Sequence, residues 1–168
     1  MKRLILIFSF IVALTSCIKE NNNKGVEVMV GDSLPSFEVV MNDGSTVTEK
    51  SLLGNVSVLM FFHPSCPDCQ QVLPRVQTMY EECASKGVKF TLISRECSAE
   101  EIESYWNKNS LNLPYSAQND RIVYNLFASS RIPRIYISDE NGIVRYIFTD
   151  DPVASYDDLK SSIESLIR

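Results

Sequence analysis

Val56 to Phe62 reads Val-Ser-Val-Leu-Met-Phe-Phe, and the chain then breaks at once into His63-Pro64-Ser65-Cys66-Pro67-Asp68-Cys69. A near-continuous apolar run of that length is a strand buried on both faces, so it belongs in the middle of a covered sheet. Pro67 suits the first turn of a helix, where a missing N–H costs nothing. Val72, Val76, Met79, Tyr80 and Cys83 then recur at helical spacing. The pattern predicts a helix from about Pro67 to Lys86, kinked rather than ended by Pro74 and stopped at Gly87. Val88 to Ser94 is a second buried strand, which completes a β-α-β unit with a parallel strand pair.

The flanking sequence extends this unit. Phe37 to Met41 and Thr46 to Thr48 face each other across Asn42-Asp43-Gly44, a strong turn signal. Ser98 with Glu101 forms a capping box for a helix to about Lys108. Asn119 or Asp120 starts a second short helix to about Ala128. Arg134 to Ser138 and Ile143 to Phe148 pair across the turn Asp139-Glu140-Asn141-Gly142. Ser155 and Asp158 open a terminal helix to Ile167. The expected architecture is one α/β domain over residues 32–168. A central mixed sheet is flanked by helices, with an N-terminal strand extension.

The 168 residues accommodate that domain and a leader. A domain of this size buries a sufficient core without disulfide staples, so each of the five cysteines needs its own account. Met1-Lys2-Arg3 is basic, and Leu4 to Leu14 is apolar except for Ser9. As a helix that run reaches about 16 Å, short of a bilayer core of about 30 Å, and so reads as a signal-peptide segment. Leu14-Thr15-Ser16-Cys17 resembles the bacterial lipoprotein signal, in which small residues precede a cysteine that becomes acylated. A plain secretory leader with an incidental cysteine is the other reading. The expectation is a signal peptide over residues 1–16, lipidation of Cys17, and a flexible polar tether over residues 17–31. The domain is then extracytoplasmic, on the periplasmic side of a bacterial membrane, where disulfides persist. The formal net charge is −5, and loss of Lys2 and Arg3 makes the remainder more negative. That balance excludes nucleic acid and a polybasic membrane patch as partners.

The spacing in Cys66-Pro67-Asp68-Cys69 carries the chemistry. A cysteine at a helix start lies among free N–H groups and at the positive end of the macrodipole, which favours its thiolate. Cys66 can then attack a substrate disulfide, and Cys69, one turn later and more buried, can resolve the mixed disulfide. Asp68 places a carboxylate between the sulfurs and opposes the thiolate. This exchange needs no metal or cofactor. Its partners are protein thiols or disulfides and an upstream electron donor. Half of a zinc site, a structural disulfide and a chance spacing are the competing readings. No second cysteine pair has zinc-ligand spacing, and His63 is the only histidine.

With these residues in view, the chain resembles the thioredoxin superfamily, in particular its membrane-tethered TlpA- and ResA-like branch. The likeness rests on Gly31-Asp32-Ser33-Leu34-Pro35-Ser36-Phe37, Asp43-Gly44, the strand Val58 to Phe62, the cysteine motif, and Arg131-Ile132-Pro133. It implies a thioredoxin-like fold, a redox-active Cys66–Cys69 disulfide and a cis Ile132-Pro133 bond packed against it. Ile132 and Pro133 would then bind substrate, with Ile132 pairing to an extended segment like an added strand. The pattern is departed from at Ser65, where thioredoxins carry tryptophan, and at Met60, where they carry a buried acid that helps deprotonate the resolving thiol. Arg131 and Arg134 flank Pro133. They can favour acidic substrates, stabilise the thiolate, or simply be solvated.

Other residues are less decided. Cys83 shares the helical phase of Val72, Val76 and Met79 and reads as an inert core thiol, too far from Cys97 to bridge it. Cys97 either packs locally or reaches the active-site edge as a third redox thiol. His63 either packs locally, tunes the thiolate or binds a metal. Trp106 is read as a helix residue at the core edge. Thiol–disulfide exchange on exported proteins is the leading function. The alternatives are a peroxiredoxin-like thiol peroxidase, a non-enzymatic copper carrier using Cys66, Cys69 and His63, and an idle binding module. Peroxiredoxins carry threonine where this chain has His63, and copper carriers of this fold space their cysteines one residue further apart.

Overall fold

A computed structural model describes residues 26–167. The first strand pair is a small antiparallel ribbon, β1 (Glu38–Val40) and β2 (Thr46–Thr48). Thr48 caps a four-residue helix, α1 (Glu49–Leu52), through a reciprocal bond with Ser51. The main sheet contains β3 (Ser57–Phe62), β4 (Lys89–Ser94), β5 (Tyr115–Ser116), β6 (Arg134–Ser138) and β7 (Val144–Phe148). Its order is β5-β4-β3-β6-β7, with β3, β4 and β5 parallel and β6 and β7 antiparallel to their neighbours. The helices are α2 (Pro67–Cys83), α3 (Ala99–Asn109) and α4 (Tyr156–Glu164). This is the thioredoxin-like α/β fold with a mixed central sheet.

The position of β3 follows from its composition. All six of its residues are buried, and both edges are paired, to β4 and to β6. Full burial of one large apolar side chain is worth about 1.5–3 kcal/mol, so this strand anchors the core. Phe61 packs edge-on against Tyr124 and Phe127, with ring centroids 5.3 and 5.0 Å away. Phe62 packs against Trp106 at 5.1 Å on α3. Trp106 lies inside the core and donates its indole N–H to the Leu113 carbonyl at 2.9 Å.

Helix α2 runs unbroken through Pro74 and passes into a 3-10 turn, Ala84–Lys86, before Gly87. Capping boxes at Ser98 and Ser155 start α3 and α4 where the sequence places them. Three local expectations change. The helix expected from 119 or 120 to Ala128 is only a 3-10 turn, Tyr124–Leu126. The segment is too short to stabilise a helix by itself, and Tyr124 and Phe127 are held by the core instead. Neither β5 nor α1 is foreseen by periodicity, being two and four residues long. Domain packing also begins before Asp32. Val28 is buried and its N–H bonds the Phe127 carbonyl at 2.8 Å, while Gly31 N–H bonds the Val144 carbonyl at 2.8 Å.

Candidate active site

Strand β3 delivers the chain to the end of the sheet, and His63–Ser65 turns it into α2. The turn closes with the Cys66 N–H bonded to the His63 carbonyl at 3.0 Å. Cys66 is the N-cap of α2, with extended backbone and no side-chain capping bond, and Pro67 follows at the first helical position. Its sulfur therefore stands beside unpaired helix N–H groups. The side chain of Gln70 bonds the Pro64 carbonyl at 2.7 Å and holds the turn against the helix. Cys66 is half-buried, Cys69 is fully buried, and both are free thiols.

A second loop completes the site. The Ile132-Pro133 peptide bond is cis, as the resemblance implies. The Cys66 Sγ donates to the Ile132 carbonyl at 3.6 Å, so the loop sits directly over the outer thiol. The loop is positioned from the core. Phe61 of β3 packs on Tyr124, and the Tyr124 hydroxyl donates to the Arg131 carbonyl at 2.6 Å. Arg131 itself adopts a left-handed φ of 69°, which re-aims the chain before Ile132. A second cis bond, Asp151-Pro152, lies elsewhere.

The two sulfurs differ electrostatically. Burial pushes the Cys69 thiol well up from its ordinary value. A hydrogen bond from the His63 backbone acts the other way. The neighbouring Cys66 sulfur raises it further, and the Arg95 guanidinium pulls it down. Cys69 is thus protonated and withdrawn at neutral pH, the character of a resolving rather than an attacking thiol.

The remaining sequence candidates fall into place around this pair. His63 Nδ1 takes the Ser65 N–H at 3.1 Å and contacts its hydroxyl at 2.9 Å, a local bond that shapes the turn. Asp68 is half-buried and accepts from Gln71 at 3.2 Å. Arg134 is buried, bonds the Ser130 carbonyl at 3.1 Å and pairs with Glu27, so it is not a solvated rim residue. Arg131 is exposed and pairs with Asp150 at 3.5 Å. Cys83 is buried at the far end of α2. Cys97 is buried too, with Sγ 3.5 Å from the Glu101 carboxylate. It borders a groove of about 470 Å³ with His63, Pro64, Ser65 and Tyr105, so it does reach the active-site edge. Burial and then Glu101 push its thiol up to about 12. A larger hollow of about 670 Å³, lined by Val40, Trp106, Leu113 and Tyr115 among others, is bordered by none of the cysteines. Cys17 and the leader lie outside the described residues. Within those residues no helix is long and apolar enough to cross a membrane, and no group of three potential metal ligands forms.

Two participants escape a reading by motif. Tyr124 fixes the Ile132 loop, and Arg95 brings a charge to Cys69. The usable signal for Arg95 was its place directly after the buried run Phe90 to Ser94.

The model of the AhpC/TSA family matches residues 30–147. The chain belongs to the AhpC/TSA family. Among curated relatives, thiol-disulfide oxidoreductase ResA of Bacillus thuringiensis is 20% identical over 118 residues, covering 70% of this chain and 68% of ResA. The ResA of Geobacillus thermodenitrificans is 22% identical over 139 residues, covering 83% of this chain and 79% of that one. Among solved structures, a putative thiol:disulfide interchange protein DsbE from Chlorobium tepidum superposes with a TM-score of 0.75 at 19% identity. That match covers 84% of this chain and all of DsbE, and it places this AhpC/TSA chain in the thioredoxin-like fold.

Proposed function

We propose that this chain is a thiol–disulfide oxidoreductase acting on exported proteins, held to the outer side of a bacterial membrane by lipid on Cys17. The observation that carries the reading is the Cys66 sulfur at 3.6 Å from the Ile132 carbonyl, with a fully buried thiol one turn behind it. Cys66 as thiolate attacks one sulfur of a substrate disulfide. The substrate S–S bond breaks, and its second sulfur leaves with the electron pair and takes a proton. Cys69 then attacks the Cys66 sulfur, the mixed disulfide breaks, and the second substrate thiol is released. The substrate gains two electrons and the enzyme becomes the Cys66–Cys69 disulfide. A dithiol donor must return those electrons. Ile132 and Pro133 form the platform on which an extended substrate segment lies beside Cys66.

The test is insulin reduction with a dithiol donor, run beside hydroperoxide consumption and Cu(I) binding. Turnover of insulin is expected. Cys69→Ser is expected to accumulate a mixed disulfide on Cys66 and to lose turnover on the order of 100-fold. Hydroperoxide turnover without insulin turnover would favour the peroxidase alternative. Stoichiometric Cu(I) binding with neither activity would favour a copper carrier. Palmitate labelling of the full chain, lost in Cys17→Ala, tests the anchor.

A further inference from the structure

We infer that Glu27 is a positioning residue for the Ile132-Pro133 loop, acting on it through the buried Arg134. This rests on the exchange reading above and adds the lead-in segment to the machinery that presents a substrate to Cys66.

Four successive carbonyls of this loop accept side-chain hydrogen bonds. Ser129 accepts from Arg121 at 3.0 Å, Ser130 from Arg134 at 3.1 Å and Arg131 from Tyr124 at 2.6 Å. Ile132 then accepts from the Cys66 sulfur at 3.6 Å. Residues 129–133 lie outside every strand and helix, so these bonds stand where ladder bonds would otherwise fix the backbone.

Arg134 is the costly donor among them. It opens β6 in register with Phe61 of β3, so its side chain leaves the sheet on the Phe61 side. It is only 6% exposed. A guanidinium buried to that extent is strongly unfavourable without a counter-charge. Glu27 supplies that charge and is the one acid paired with Arg134 among the described residues. The planar fork then has two jobs: one nitrogen, Nη1, meets the Glu27 carboxylate, and Nε meets the Ser130 carbonyl.

The lead-in segment is seated to hold this pair. Val28 is buried, and its N–H bonds the Phe127 carbonyl at 2.8 Å. The same carbonyl accepts from the Tyr136 hydroxyl at 3.3 Å, two residues along β6 from Arg134. Glu27 is thus fixed by its own neighbour on one side and by Arg134 on the other. It contributes from outside the family-matched region, which begins at residue 30. Its side chain is 38% exposed, so replacing it leaves the core packing in place. Without the carboxylate, the guanidinium is drawn towards water and releases the Ser130 carbonyl, two residues before the carbonyl that meets Cys66.

The test compares Glu27→Ala and Glu27→Gln with wild type as full chains. In Glu27→Ala the KM for insulin is expected to rise about fivefold with kcat within about twofold. Glu27→Gln keeps an oxygen facing the guanidinium, and its KM is expected to rise about twofold. Glutathione disulfide needs no platform, and its rate with Cys66 is expected to match wild type in both. Amide hydrogen exchange in the peptide spanning residues 129–134 is expected to quicken about fivefold in Glu27→Ala, with α2 unchanged. An unchanged KM, equal losses towards insulin and glutathione disulfide, an unchanged loop peptide, or faster amide exchange throughout the chain overturns the assignment to Glu27. A wild-type chain that reduces neither disulfide overturns instead the exchange reading, and the loop peptide then still decides whether Glu27 positions the loop.

Discussion

Helix α2 has a buried cysteine near each end, and the two have different surroundings. At the N-terminal end Cys69 lies under Cys66, beside the His63 backbone, and Cys66 in turn meets the Ile132 carbonyl. At the C-terminal end Cys83 is buried against the core beside Val88, where α2 packs on α4. Burial pushes both thiols up. What separates them is what lies next to the sulfur: a second thiol and a backbone donor at one end, and at the other only the charges of Lys86, Glu82, Glu164 and Lys160 acting through space. Burial alone makes a cysteine inert. Cys69 has a second thiol beside it and Cys83 does not.

That contrast can be broken most decisively by substitution. Cys66→Ala is expected to lower insulin reduction by at least about 1,000-fold, while Cys83→Ala stays within about twofold of wild type. Equal losses would erase the distinction between the two ends. On the stability side, Cys83→Ser buries a hydroxyl among apolar groups and is expected to cost about 2 kcal/mol in urea unfolding with turnover unchanged.

A smaller effect sharpens the picture at the N-terminal end. Tyr124→Phe removes the bond to the Arg131 carbonyl, worth about 1 kcal/mol net, and should lower kcat/KM for insulin about fivefold. The same variant should react normally with a small disulfide, which needs no platform. Smallest of all is a pH effect at Cys97. Its folded thiol is pushed up to about 12 by burial and by Glu101, above its ordinary value of 9.0. The unfolded chain then loses its proton first. Stability is full below about pH 9 and falls as pH rises towards 12. Cys97→Ala should flatten that alkaline decline by about 1 kcal/mol at pH 10, measured by urea unfolding across pH.

Much of this fold is readable along the chain because local and tertiary signals agree. The apolar run of β3, Pro67 at the start of α2 and the capping boxes at Ser98 and Ser155 each specify an element with few competitors. The cysteine pair was legible for the same reason, being fixed by a strand end and a helix start. Strand β5 was not, because two residues carry no period and exist as a strand only by pairing Leu92 with Tyr115 across the fold. The 3-10 turn at Tyr124 is likewise decided by Phe61, sixty-odd positions upstream. Arg134 reads as a surface charge until Glu27 and the Ser130 carbonyl are seen to enclose it. Arg95 shows the same limit, since its place over the Tyr124 ring depends on the register of β4 against β3.

The entrance of the chain has a mechanical consequence. Glu27 grips Arg134, and Val28 hangs from the Phe127 carbonyl. Arg134 directly follows Pro133, and Phe127 packs on the Phe61 ring. Any pull on the segment ahead of Val26 is therefore felt first at β6, directly after the cis Ile132-Pro133 bond. A domain hauled by its leading end would register tension at its working edge before its core yields.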